Sequence, residues 1–213
     1  MSDGEFEATI IHGEGDKRKY YKGMISFADT ARRVHVLWTA ELIMGREASC
    51  DICLPDKRVS RKHGIVSLTY DGARFSDLAS SNGSARNGER VEGTIFLNDG
   101  DRLDIGGAFN MGVKVRELDE MPQSVLIAMD ADEYLLTQTE VLIGRDPSRV
   151  DVAVNDPQME DVHAQIEFVF DTPIITSLIE DKLLIVDGKP TKSTRLREYS
   201  NIRIGSTRMT WKL

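Results

Sequence analysis

Gly45-Arg46, Ser60-Arg61-Lys62-His63, Asp77-Leu78-Ala79-Ser80-Ser81-Asn82-Gly83-Ser84 and Asn87-Gly88 punctuate one stretch of the chain. Between them run short apolar segments: Asp51-Ile52-Cys53-Leu54-Pro55, Gly64-Ile65-Val66-Ser67-Leu68 and Ala73-Arg74-Phe75. Apolar runs this short, separated by polar clusters, read as strands joined by loops. The polar residues fall on the loops, where binding groups held by a rigid sheet usually sit. Outward from this stretch the pattern continues. Val34-His35-Val36-Leu37-Trp38 and Glu41-Leu42-Ile43-Met44 are β-type runs. Asp71-Gly72 separates two runs with the chemistry of a two-residue hairpin. Asn98-Asp99-Gly100-Asp101 marks a further turn before Arg102-Leu103-Asp104-Ile105. Many short strands with regular turn signals predict an all-β sandwich or barrel, not an α/β fold.

As an ordered set, Gly-Arg, Ser-x-x-His, Ser-x-Asn-Gly and the trailing Asn-Gly resemble the forkhead-associated family of phosphothreonine-binding β-sandwiches. The resemblance departs from the family pattern at Ser84, where Thr is usual, at Arg86, where an apolar residue is usual, and at Gly64, where Ala is common. A phosphothreonine carries about −1.5 to −2 charges and three strong acceptor oxygens. Its receptor needs a fixed cation and several donors. Arg46 supplies a planar fork that stays charged; Ser60 and Ser81 supply hydroxyls from facing loops; Arg61 supplies a second cation or its backbone N–H. Charge-assisted bonds contribute roughly 1.5–3 kcal/mol each, so three account for much of the ~8 kcal/mol of a micromolar complex. The resemblance implies that Asn82 grips the peptide backbone beside the phosphoresidue. It also implies that Arg58, two residues before Ser60, reads the third position after it, with a mild preference for an acidic side chain. His63, Gly45 and Gly83 are expected to support these loops. Ser60, His63 and Asp77 do not make a hydrolase triad, because no nucleophile elbow or oxyanion motif accompanies them.

About a hundred residues on, the unit recurs. Val141-Leu142-Ile143-Gly144-Arg145 matches Leu42-Ile43-Met44-Gly45-Arg46, His163 matches His63, and Ile202-Arg203-Ile204-Gly205 matches Leu103-Asp104-Ile105-Gly106. The loops do not match. Ser60-Arg61-Lys62-His63 becomes Glu160-Asp161-Val162-His163, and Ser81-Asn82-Gly83 falls on Asp181-Lys182-Leu183. Two like charges near 4 Å repel by about 4 kcal/mol at an effective dielectric of 20, so the second copy is expected to have lost phosphate binding. Arg145 is expected to pair with Glu160 or Asp161.

The expected organisation is therefore two tandem β-sandwiches. Residues 1–23 form an N-terminal arm, 24–116 the phosphothreonine-binding domain, 117–124 an acidic, proline-containing linker, and 125–213 the degenerate copy. The expected function is that of an adaptor or scaffold downstream of a Ser/Thr kinase, whose partner is a threonine-phosphorylated protein. Thr9 in the arm is a candidate for docking into the chain's own site once phosphorylated. The rival expectation is a phosphate-independent assembly module built from the same two sandwiches.

The 213 residues carry 40% hydrophobic and 29% charged side chains and a net charge of −8. That balance argues against a general nucleic-acid or anionic-membrane binder. No apolar run approaches the ~18 residues of a membrane span, and the polar start of the chain is not a secretory signal, so a cytoplasmic protein is expected. Cys50 and Cys53 are the only cysteines. Four ligands are wanted for structural zinc, and positions three apart on a strand face opposite ways, so both are expected simply to pack. No metal, cofactor or enzymatic motif is implied.

Overall fold

The computed structural model describes residues 21–118, 121–170 and 172–213. Thr9 and most of the expected arm lie outside them. Every regular element among the described residues is a strand. The first copy contains β1 (Tyr21–Phe27), β2 (Arg33–Trp38), β3 (Glu41–Gly45), β4 (Ile52–Cys53), β5 (Gly64–Thr69), β6 (Gly72–Asp77), β7 (Ser84–Arg86), β8 (Glu89–Arg90), β9 (Thr94–Leu97), β10 (Arg102–Ile105) and β11 (Phe109–Leu118). The second contains β12 (Met121–Met129), β13 (Asp132–Thr137), β14 (Glu140–Gly144), β15 (Val152–Ala153), β16 (Ala164–Val169), β17 (Thr172–Ser177), β18 (Leu184–Val186), β19 (Lys189–Thr191), β20 (Ser193–Arg195), β21 (Asn201–Ile204) and β22 (Thr207–Lys212). The fold is all-β and sandwich-like.

Two five-stranded sheets, β4-β3-β5-β6-β9 and β15-β14-β16-β17-β20, pack on one continuous twelve-stranded sheet. The order of that long sheet is β19-β18-β21-β22-β1-β2-β13-β12-β11-β10-β7-β8. The first strand of each copy pairs with the last strand of the other: β1 with β22, and β12 with β11. The copies have thus exchanged their opening hairpins, and β2 and β13 meet in parallel at the junction.

The cores record the same exchange. Ile25, Val34 and Val36 pack with the second copy's Val141, Ile166 and Trp211. Val125, Ile127 and Leu136 pack with the first copy's Leu42, Val66 and Phe75. Adjacent residues on a strand point to opposite faces. Leu135 belongs to one core and Leu136 to the other, so the two cores lie on opposite faces of the long sheet. Strands buried on both faces lose the apolar–polar alternation, which explains the unbroken run Val125-Leu126-Ile127.

Two sequence expectations need correction here. Tyr21–Gly23 are not arm but the start of β1, because Gly23 fits under Trp211: a Cβ there would lie 2.3 Å from the indole. Glu117–Leu118 and Met121–Ser124 are not a linker but paired strand residues of β11 and β12, with Glu117 opposite Pro122 and Leu118 opposite Met121. The proline lacks an N–H donor and is tolerated because the register shifts between Arg116 and Glu117.

Buried polar groups tie the copies together. Arg116 on β11 is 7% exposed and donates through Nε to Asp151 at 2.8 Å and through a terminal nitrogen to Glu140 at 3.1 Å. Asp151 also accepts from Ser124 Oγ and from the Leu142 N–H. Arg32 donates twice to Glu133, at 2.9 and 2.8 Å, and once to the Ala153 carbonyl at 2.5 Å.

Candidate functional site

Arg46 leaves the end of β3 into a loop that could not form with a larger residue at position 45. A Cβ on Gly45 would lie 2.3 Å from the Arg61 carbonyl oxygen. That close approach lets the Arg46 N–H donate to the Ser60 carbonyl at 2.9 Å and the Glu47 N–H to the Arg61 carbonyl at 3.2 Å. Arg46 is thereby fixed beside Ser60 and Arg61.

His63 is fully buried beneath this loop. Its Nδ1 accepts the Ser60 N–H at 3.0 Å, which leaves Nε2–H to donate to the Gly83 carbonyl at 3.1 Å. One ring thus bridges two loops. A triad is ruled out geometrically, since the ring meets Ser60 through the backbone and Ser60 Oγ instead accepts the Ser81 N–H at 3.0 Å. Gly83 takes φ +76, in the region that favours glycine.

Asp77, which sequence reasoning considered only as a triad member, organises the facing loop. It accepts from the Ser80 N–H at 2.7 Å, Ser80 Oγ at 2.8 Å and Ser84 Oγ at 2.6 Å. Burial pushes its carboxyl upward, but these donors outweigh it and hold the group below its ordinary value. The readable signal was an aspartate with a serine three residues later, the spacing of a local side-chain cap.

The loops enclose an open cleft of about 520 Å³ lined by Arg46, Ser60, Arg61 and Ser81 together with Glu47, Lys57, Arg58, Val59 and Lys62. Neither Arg46 nor Arg61 has a carboxylate partner among the described residues. Asn82 lies beside the cleft, and its Nδ2 donates to the Arg58 carbonyl at 2.7 Å, so part of its capacity already braces the loop.

Arg58 differs most from expectation. Its guanidinium donates to both Asp56 oxygens, at 3.1 and 2.9 Å, and to the Gly107 carbonyl at 2.6 Å. The Arg58 hydrogen bonds hold the Asp56 carboxyl down at about 2. Asp56, unnoticed in the sequence, therefore competes for the guanidinium with any acidic residue of a ligand. Replacing Asp56 with alanine is expected to strengthen selection of an acidic residue at the position Arg58 faces. Peptide-array profiles of the two proteins check this, and identical profiles would separate Arg58 from specificity.

Cys50 is buried and Cys53 exposed, and both are free thiols. No cluster of His, Cys, Asp and Glu suited to a metal occurs among the described residues.

In the second copy the scaffold repeats and the chemistry does not. Gly144 again sits under a backbone carbonyl, that of Asp161, and His163 Nδ1 accepts the Glu160 N–H at 3.1 Å. Arg145 is paired with Asp161 at 2.8 Å, and Lys182 with Glu160. Arg145 and Lys182 are thus each matched by a carboxylate.

The FHA domain family model matches residues 42–106. Residues 42–106 are a forkhead-associated domain. The family model for the cytoplasmic domain of the inner membrane component of the type III secretion system matches residues 129–212. The transcriptional regulatory protein EmbR of Mycobacterium tuberculosis is 37% identical over 73 residues, 34% of this chain. The match spans only 19% of EmbR's length. Among solved structures, M. tuberculosis EmbR in complex with a low-affinity phosphopeptide is 32% identical, covering 40% of this chain and 22% of that one, with a TM-score of 0.33. A chain from a study of phosphothreonine-dependent FHA domain interactions is 28% identical, covering 46% of this chain and 99% of that one, with a TM-score of 0.36. No helix among the described residues is long and apolar enough to cross a membrane.

Proposed function

We propose that the FHA domain is a receptor for a threonine-phosphorylated peptide, and that the chain acts as an adaptor or scaffold downstream of a Ser/Thr kinase. The observation that carries this reading is the convergence of Arg46 and Arg61, without carboxylate partners among the described residues, on one cleft with Ser60 and Ser81. A dianionic phosphate with three acceptor oxygens matches that set of charges and donors. Arg46 and Arg61 take the charge, the two serines complete the oxygens, and His63 holds the loops at the correct separation. The FHA domain is a binding module in this reading and carries out no reaction. The ion-paired loops of the second copy support a partner contact there that does not use phosphate.

The test is calorimetric titration of a degenerate phosphothreonine peptide pool, and its unphosphorylated twin, into wild type and Arg46→Ala. Binding that requires the phosphate and weakens by about tenfold to a hundredfold in the variant is expected, the loss of one charge-assisted contact. Equal binding of the two pools, or full affinity in Arg46→Ala, would overturn the reading in favour of an assembly module.

A further inference from the structure

Away from the phosphate cleft, a groove of about 520 Å³ runs over the outer face of β18, β21 and β22 and reaches Ala28 just past β1. It lies in the second copy, on the face of the long sheet turned away from that copy's core. Strand alternation puts Ile185, Arg203 and Arg208 on this outer face while Ile202, Ile204 and Met209 point inward. Arg203 stands directly opposite Arg208 in the antiparallel register, and Ile185 stands opposite Arg203 on its other side.

Like charges directly opposed across two strands are unfavourable. Arg208 reaches Asp29 at 3.0 Å through an exposed pair, 66% and 64% accessible. Such a pair is worth little. Arg203 has no carboxylate partner among the described residues. The first copy places Asp104 opposite Asn110 and Ala85 beside Asp104 at the corresponding positions. The second copy has therefore replaced an acid and an amide with two arginines and enlarged the apolar floor. The segment that supplies most of the groove is basic: residues 182–213 contain eight Lys and Arg against two acids, Asp187 and Glu198, in a chain of net charge −8.

We propose that this groove docks an acidic peptide segment, carrying carboxylates for Arg203 and Arg208 and an apolar side chain over Ile185, without any requirement for phosphate. Asn201 and Thr210, facing each other across β21 and β22 at the groove, supply hydrogen bonds to the peptide backbone. An extended peptide matches the apolar floor between charges. Nucleic acid offers a continuous polyanion with no apolar side chain, and the net negative protein repels it at long range.

The probe is a fluorescein-labelled nonapeptide pool with Asp or Glu flanking a central Leu, titrated by anisotropy into the full chain. Its controls are an Asn/Gln twin pool and a labelled 20-base-pair DNA duplex. Specific binding of the acidic pool is expected to weaken at least tenfold in Arg203→Glu/Arg208→Glu and to persist in Arg46→Ala. Amide shift mapping on wild type is expected to move Asn201, Arg203, Arg208 and Thr210, which keeps the test independent of how the double variant folds. The proposal is overturned by absence of acidic-pool binding, by equal affinity for the neutral twin, by tighter binding of the duplex, or by shifts confined to the Arg46 cleft.

Discussion

A fragment ending at residue 118 is expected to fold poorly, although it contains every strand of the first copy. It would lack Val125, Ile127 and Leu136, three fully buried members of the first core. Burying each aliphatic side chain is worth about 1.5–3 kcal/mol, so their combined loss approaches the roughly 5–15 kcal/mol that holds a typical protein together. The fragment's own β1 is a poor substitute. Its Gly23 is shaped to lie against Trp211 of β22, and its Ile25 belongs to the other core. The edge of β11 that pairs with β12, seven residues from Gly112 to Leu118, would also be left open, an invitation to association. Urea unfolding followed by tryptophan fluorescence and circular dichroism distinguishes the outcomes. Residues 21–118 should show a broad or absent transition and concentration-dependent aggregation. A sharp transition at the full chain's midpoint would mean that the hairpins can return to their own copies, and that the exchange contributes nothing to stability.

The second large effect is expected at Asp151. Its carboxylate is 2% exposed as a residue and accepts from Arg116, Ser124 and the Leu142 N–H. Asp151→Ala leaves the Arg116 guanidinium, itself 7% exposed, with Glu140 as its one carboxylate partner among the described residues, and strips Ser124 and the Leu142 N–H of their acceptor. Breaking a buried pair by removing one partner costs about 3–5 kcal/mol, and for a chain of this size that lowers the melting temperature by roughly 10 °C. Replacing both partners with apolar residues, Arg116→Met with Asp151→Leu, should recover much of the loss, since the charge then left without its partner is Glu140, whose side chain is 31% exposed and reaches water. Chemical denaturation of the two variants measures both steps. A loss under about 1 kcal/mol in Asp151→Ala would show that water reaches Arg116 and that the pair is not a clamp between copies.

The two predictions concern the same feature from different directions. The FHA cleft rests on sheet β4-β3-β5-β6-β9, that sheet rests on β12 and β13, and those strands continue into the second copy. An FHA domain built this way has a scaffold that includes the second copy. The retention of Gly144 and His163 in a copy whose loop cations Arg145 and Lys182 are paired with carboxylates then has a physical reason. The second copy must keep the strand geometry on which both cores rest.

Much of this protein was determined locally and was legible in its residues. Short runs bounded by Asp-Gly and Asn-Gly specify strands and turns through backbone preference alone. Gly45-Arg46, Ser60 and His63 specify a loop pair because each residue type has one task there: close approach, charge, hydroxyl, bridging ring. The ion pairing of the second copy's loop could be read from Glu160-Asp161, and Arg145 does pair with Asp161. What the residues could not reveal was decided between elements far apart in the chain. Whether β1 pairs with β11 or β22 depends on which neighbour fits Gly23 and on which core accepts Ile25. Both copies offer strands of similar pattern, so no local signal chooses between them. The same holds for Arg58, whose partner Asp56 lies two residues away but whose third anchor, the Gly107 carbonyl, arrives only when β10 and its turn fold beside it. Pro122 suggested a break in the chain, and the tertiary structure absorbed it in a register shift, because a hairpin end tolerates a missing N–H where a central strand does not.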